Sequence, residues 1–209
     1  MSTLWVYGCS FSEPIILCNN SFFSEDGTLN HFDVDYWGTH LAKKLGFNCV
    51  TKSRSGIGWN YISHRIEQDI IKWSTDDIII ISPSFFHRTT ILEFKDELTA
   101  EFNIFTECSH LLSPIEQIIQ YNKERWYLKI KTLQHLNFKV FTWIVDEIAN
   151  DVTDLNNLIL TPDKDINWKD WMDRHHELWI DPANNDWHFN KQGHIKVAET
   201  MYDFIKDKI

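Results

Sequence analysis

No stretch of this chain reaches the 18 or so consecutive apolar residues of a membrane-spanning helix, which argues against such a span. Positive charge is scarce: 20 lysines and arginines face 30 aspartates and glutamates, for a net charge of -10. So acidic a balance argues against nucleic acid as a partner, because that binding depends on neutralising phosphates with Lys and Arg. It argues equally against an anionic membrane surface. Glycine and proline are few, 7 and 5, and they form no linker, repeat or low-complexity tract. One domain spanning residues 1–209 is therefore expected. The four cysteines, Cys9, Cys18, Cys49 and Cys108, show no Cys-x-x-Cys or other metal-ligand spacing. Reduced thiols are the default for such a set, with a disulfide left open. The first strand begins without the basic segment and apolar stretch of a secretory signal, so a cytoplasmic location is expected.

Aromatic residues are plentiful, with 10 Trp, 14 Phe and 6 Tyr. Flat aromatic faces suit sugar rings and acyl chains, and they suit a hydrophobic core equally well. Leu4 to Tyr7 reads as a short strand ending at Gly8. Residues 9–35 turn loop-like over a length that marks a candidate functional loop. Tyr36 to Leu45 reads as a helix ended by Gly46, and Phe47 to Thr51 as a second strand. Trp59, Ile62, Ile66, Ile70 and Trp73 form a helical stripe. Four isoleucines, Ile78 to Ile81, predict a central parallel strand buried on both faces.

Residues 82–112 are expected to hold a loop with irregular or short helical pieces. Ser113 then caps a long helix with the stripe Ile115, Ile118, Ile119, Trp126, Ile130 and Leu133. Phe138 to Val145 predicts a fourth strand and Leu178 to Ile180 a fifth. Between them, residues 146–174 are acidic and poorly periodic, as a lid or insertion would be. A last helix starts near Asn190. Strands alternating with helices predict an α/β fold with a five-stranded parallel sheet and right-handed crossovers. Ligands of such sheets bind outside the carboxyl ends of the strands.

Two short motifs fall at that edge. Ser10 follows the first strand in Gly8-Cys9-Ser10, and Asp186-Trp187-His188 precedes the last helix. A serine hydroxyl becomes a nucleophile when a histidine takes its proton and a carboxylate orients that histidine. Each motif also has a plainer use, Ser10 as a turn or cap residue and Asp186-Trp187-His188 as an Asx-turn ahead of the Asn190 cap. Gly56 and Ser82 fall after the second and third strands, at the same predicted edge. Cys9 is a second candidate nucleophile, dependent on a lowered pKa. His175-His176 with Asp173 has no partner cluster in sequence, so no metal is expected.

These motifs resemble the SGNH (GDSL-like) hydrolases, esterases and deacetylases with a flavodoxin-like three-layer α/β/α fold. Gly8-Cys9-Ser10-Phe11-Ser12 is similar to that family's nucleophile block, with Cys9 where aspartate is usual. In Ser55-Gly56-Ile57-Gly58-Trp59-Asn60, Gly56 matches the glycine whose N–H joins the oxyanion hole, and Asn60 lies beside it at the substrate. The family's third block has an asparagine, and this chain instead reads Ser82-Pro83-Ser84-Phe85-Phe86-His87-Arg88. The resemblance leaves the Ser82 hydroxyl or the Arg88 cation to stand in its place. Asp186-x-His188 is one residue shorter than the common spacing, similar to some acyltransferases and several phage-encoded relatives, which implies a virus-encoded source.

The resemblance thus implies a cofactor-free ester hydrolase with Ser10, His188 and Asp186 as its triad. Its expected partner is a small acylated substrate, an O-acetylated saccharide by preference. Two other readings stay open. One is an O-acyltransferase using the same serine, and the other is a noncatalytic carbohydrate-binding or structural protein. Oligomeric state is not legible.

Overall fold

The structure, a computed structural model, describes residues 2–12, 36–53, 57–83, 85–86, 89–95, 98–104, 114–145, 155–164, 167–181 and 186–209. Strands β1 (Thr3–Tyr7), β2 (Asn48–Thr51), β3 (Ile78–Ile81) and β6 (Lys139–Thr142) form a parallel sheet in the order β2-β1-β3-β6. Register is tight, with Trp5 opposite Val50 and Ile79, and Ile80 opposite Phe141. All four isoleucines of β3 are fully buried, as expected of a parallel strand covered on both faces.

Because side chains alternate along a strand, the two faces build two cores. Leu4, Val6, Ile78 and Ile80 pack with Trp37 and Leu41 of α1 (Trp37–Leu45) and with Val197, Ala198 and Met201 of a carboxyl-terminal helix. Trp5, Tyr7, Ile79 and Ile81 pack with Ile62 and Ile66 of α2 (Trp59–Asp69). Trp126 and Ile130 of α3 (Ile115–His135) complete that second core. Gly46 ends α1 in the left-handed conformation (φ 73°) and donates its N–H to the Ala42 and Lys43 carbonyls. Most of the aromatic wealth is core: Trp37, Trp59, Trp126, Trp143, Trp168 and Trp171 are all fully buried.

Two expectations are corrected. Residues 82–112 are not merely irregular, because they contain an antiparallel hairpin, β4 (Thr89–Lys95) and β5 (Leu98–Ile104). The stretches Thr-Thr-Ile-Leu-Glu-Phe-Lys and Leu-Thr-Ala-Glu-Phe-Asn-Ile carry the β-branched and aromatic content of strands. The fifth parallel strand is also absent among the described residues. The segment around Leu178–Ile180 becomes β7 (Trp179–Asp181) and pairs antiparallel with β8 (Asp186–Phe189). The link between them is only four residues, enough for a hairpin, whereas a parallel return needs a crossover of about a dozen or more. Beside β6, where a fifth strand would lie, isolated parallel bridges join Thr142 to Leu158 and Ile144 to Asn167.

Within residues 146–174, Leu155, Leu158 and Ile159 are buried, as are Trp168, Trp171 and Met172 of or beside α4 (Trp168–Arg174). Residues 146–154, residues 13–35 of the expected loop, and Ser113 lie outside the described residues. The chain ends in α5 (Lys191–Ile205), the carboxyl-terminal helix of the first core. Among the described residues no helix is long and apolar enough to cross a membrane.

Candidate active site

At the carboxyl edge of the sheet, the last ladder contacts are Lys52 N–H to the Val6 carbonyl and Ser82 N–H to the Tyr7 carbonyl, both 2.8 Å. Beyond them β1 opens into Gly8 and Cys9 and then a single 3-10 turn, Ser10–Ser12, closed by Ser12 N–H to the Cys9 carbonyl at 2.9 Å. Gly8 is required by close approach. A β-carbon there would stand 2.5 Å from Ser12 Oγ, 2.6 Å from Ser12 Cβ and 3.1 Å from Ser82 Cβ. Cys9 points into the core and is fully buried.

Two aromatic contacts fix this turn. The Trp37 indole, at the start of α1, donates to the Phe11 carbonyl at 3.0 Å. The Phe11 ring stacks on the imidazole of His188, with centroids 5.3 Å apart and planes 25° from parallel. Phe189 and Phe85 complete the surround of Phe11, each with centroids at 6.4 Å in an edge-on arrangement. Thus the Ser10 turn and the Asp186–His188 strand, at opposite ends of the sequence, lie against each other at one edge of the sheet.

His188 is half-buried on β8, which the first turn of α5 holds in place. Asn190 caps that helix by accepting from Gly193 N–H at 3.0 Å, and its amide donates to the Glu177 and Trp179 carbonyls at 2.7 and 3.0 Å. Trp179 in turn donates its indole N–H to the Met172 carbonyl at 2.8 Å. A β-carbon at Gly193 would meet the Leu178 carbonyl oxygen at 2.7 Å, so a larger residue would push helix and hairpin apart. His194, one residue on, is buried with its ring edge-on to Phe189 and Tyr36.

The expected site residues are therefore placed unequally. Ser10 and Asp186 have backbone positions in the turn and in β8, and their side chains lie outside the described residues; Gly56 and Arg88 lie outside them altogether. Asn60 is half-buried in the first turn of α2. Ser82 follows β3 at the expected edge, fully buried, and among the described residues its Oγ has no hydrogen-bond partner. Ser12 Oγ and Ser53 Oγ share that condition. Trp37, Phe11 and Asn190 were not singled out as site residues by sequence. Asn190, ahead of the last helix, carried the local signal of an N-cap, and Phe11 entered only as part of the Gly8–Ser12 block.

Beside the site, Tyr36 Oη and Thr51 Oγ1 lie 2.9 Å apart, and Thr51 Oγ1 also approaches Cys49 Sγ at 3.9 Å. Burial pushes the Cys49 thiol up to about 12 and the Tyr36 phenol well above its usual range. Both groups are held neutral. Among the described residues no three His, Cys, Asp or Glu side chains are grouped to hold a metal ion.

No protein-family model matches the chain, and no curated protein matches it. Solved structures do. A GDSL-like lipase from Parabacteroides merdae superimposes with a TM-score of 0.53 at 11% identity, covering 99% of this chain and 96% of that one. The psychrotrophic esterase EstA from a Pseudoalteromonas species, in a form inhibited by monoethylphosphonate, gives 0.51 at 14% identity, covering 99% and 98%. Over nearly its whole length the chain shares the α/β fold of these two proteins.

Proposed function

We propose that the chain is a serine-dependent ester hydrolase that removes a short acyl group from a small ester, built as one flavodoxin-like domain with helices on both faces of its sheet. The observation that carries this reading is the stack of Phe11 on His188, which brings the Ser10 turn beside Asp186 and His188. A shared fold with an esterase and a lipase agrees with it.

In this reading Ser10 Oγ attacks the ester carbonyl carbon as His188 takes its proton, and Asp186 orients the imidazole and stabilises its cation. The proton then passes from His188 to the departing alkoxide, leaving an acyl group on Ser10. A water, deprotonated by His188, releases the acid and restores the serine. The N–H groups of Ser10 and Gly56 stabilise the tetrahedral oxyanion. Ser82, whose hydroxyl just after β3 has no hydrogen-bond partner among the described residues, supplies the third donor in place of the missing asparagine by rotating toward the substrate. Asn60 and Arg88 contact the rest of the substrate.

The test compares wild type with Ser10→Ala on a chromogenic acetyl ester and a fluorophosphonate probe at neutral pH. Turnover and labelling by wild type alone are expected. If wild type does neither, the chain is a noncatalytic bearer of the fold; if the variant does both, Ser10 is not the nucleophile and the reading fails. Adding an acceptor sugar separates hydrolysis, which releases acetate, from transfer, which moves the acetyl group to the sugar.

A further inference from the structure

Helix α5 leaves the candidate site at Asn190 and carries Lys196 to Phe204 about 9 to 21 Å further along its axis, at 1.5 Å per residue. There, with Lys44 near the end of α1 and the turn Leu160–Lys164, it lines a cleft of about 660 Å³. Clefts of about 300–1,000 Å³ are the size that holds small ligands.

Charge in this cleft runs against that of the whole chain. Lys44, Lys164 and Lys196 line it together with the carboxylates of Glu199 and Asp203. Both carboxylates are already engaged, Glu199 by Lys44 at 4.0 Å and Asp203 by Lys206 at 2.6 Å. Lys206 chiefly, with Lys44 and Lys196 adding, holds the Asp203 carboxyl below its usual range. The side-chain ammonium groups of Lys164 and Lys196 make no hydrogen bond or ion pair among the described residues.

Lys164 also stands in the left-handed region at φ 67°, in a turn closed by its N–H to the Thr161 carbonyl at 2.9 Å. That conformation costs a lysine about 1 kcal/mol, which a glycine would avoid. Leu160 and Phe204 give the cleft an apolar wall.

We propose that this cleft is a second binding site, for a small monoanion with an apolar body, an alkyl or aryl carboxylate. Its carboxylate is held by Lys164 and Lys196 and its hydrocarbon lies on Leu160 and Phe204. With Glu199 paired to Lys44 and Asp203 to Lys206, the two remaining ammonium groups are left to grip the two oxygens of one carboxylate. Phosphate offers no apolar part to lie on Leu160 and Phe204, and a neutral ligand would leave the two lysines unused. The site is distinct from the serine edge and does not rest on the esterase reading.

The test titrates the full-length chain with sodium hexanoate at low salt and follows ¹H–¹⁵N spectra, with neutral hexanamide in parallel. Eight heavy atoms support a Kd of about 1 mM. Saturable shifts are expected in residues 160–164 and 196–204, with hexanamide at least about tenfold weaker. Lys164→Gln with Lys196→Gln should weaken hexanoate at least about tenfold and leave the melting temperature unchanged, since both side chains are exposed. Absence of saturation, equal binding of the amide, an unaffected double variant, or shifts confined to Gly8–Ser12 and His188 would each overturn the proposal.

Discussion

Replacing Gly8 by alanine tests whether the turn carrying Ser10 is built as tightly as the structure has it. The backbone at Gly8 is not in the left-handed region, so alanine meets no conformational penalty there. By that criterion alone the change would stabilise the chain by about 0.4–1 kcal/mol, through a less disordered unfolded state. Packing opposes it. The new methyl would lie 2.5 and 2.6 Å from Ser12 Oγ and Cβ and 3.1 Å from Ser82 Cβ, all well inside van der Waals contact. Overpacking of this kind costs about 1–3 kcal/mol, so packing wins by about 1–2 kcal/mol. In a chain of 209 residues that lowers Tm by about 2–8 °C in a calorimetric or circular-dichroism melt. Since the displaced element is the Ser10 turn, acetyl-ester turnover should fall about 10²-fold. Ser12→Gly removes two of the three close contacts and discards a hydroxyl without a partner. The double variant should therefore recover most of the lost Tm, giving strong coupling between the two sites. A Gly8→Ala variant as stable as wild type, or simple additivity in the double variant, refutes the packing of this turn.

Trp37→Phe keeps the ring but removes the N–H that holds the Phe11 carbonyl at 3.0 Å; it should cost about 1–3 kcal/mol in a urea melt and lower kcat with it. Asn190→Ala loses the α5 cap and both carbonyl contacts to the β7 side of the hairpin; a loss of about 1–2 kcal/mol is expected, read as a lower Tm. Ser82→Ala should leave Tm within about 2 °C of wild type, because a buried hydroxyl without a partner adds little, while kcat falls about 10²–10³-fold; unchanged kcat removes Ser82 from the oxyanion site. The Cys49 thiol, raised from 9.0 to about 12, binds its proton more tightly folded than unfolded. Its share of stability is thus complete below pH 9 and lost as pH rises toward 12. Cys49→Ala should flatten the alkaline part of the stability profile, and an unchanged slope rejects the assignment.

The sheet was legible because its signals are local. Ile78–Ile81 is a continuous β-branched run, and Gly46 stops α1 at the position where the left-handed cap is needed. The parts that misled are those where the partner decides. Trp179–Asp181 is apolar enough for a sheet strand, yet its pairing is set by the nearness of Asp186–Phe189 and by the Trp179 bond to the Met172 carbonyl. Residues 89–104 hold strand-forming side chains, but no short turn motif announced the hairpin. At the site, Gly8, Ser10 and His188 stood out as chemistry-bearing residue types in motif spacing. Trp37 did not, because a tryptophan that donates to a remote carbonyl looks, in sequence, like any other core tryptophan.

That asymmetry bears on how the site is held. The Ser10 turn is tied through the Phe11 carbonyl to Trp37, the first residue of α1. The His188 strand is tied through Asn190 to the first turn of α5. These two helices pack on each other, with Leu41 and Ala42 of α1 in one core with Val197, Ala198 and Met201 of α5. The Ser10 turn and the His188 strand are therefore registered twice, once by the Phe11–His188 stack at the edge and once by the helix pair beneath it. The second constraint is stiffer, because buried apolar contacts resist displacement more than one ring stack at a half-open edge. A serine and its base must meet within hydrogen-bond reach, and a misplacement of about 1 Å is costly. In this fold that distance is set less by the residues of the two motifs than by the spacing of the helices that carry them.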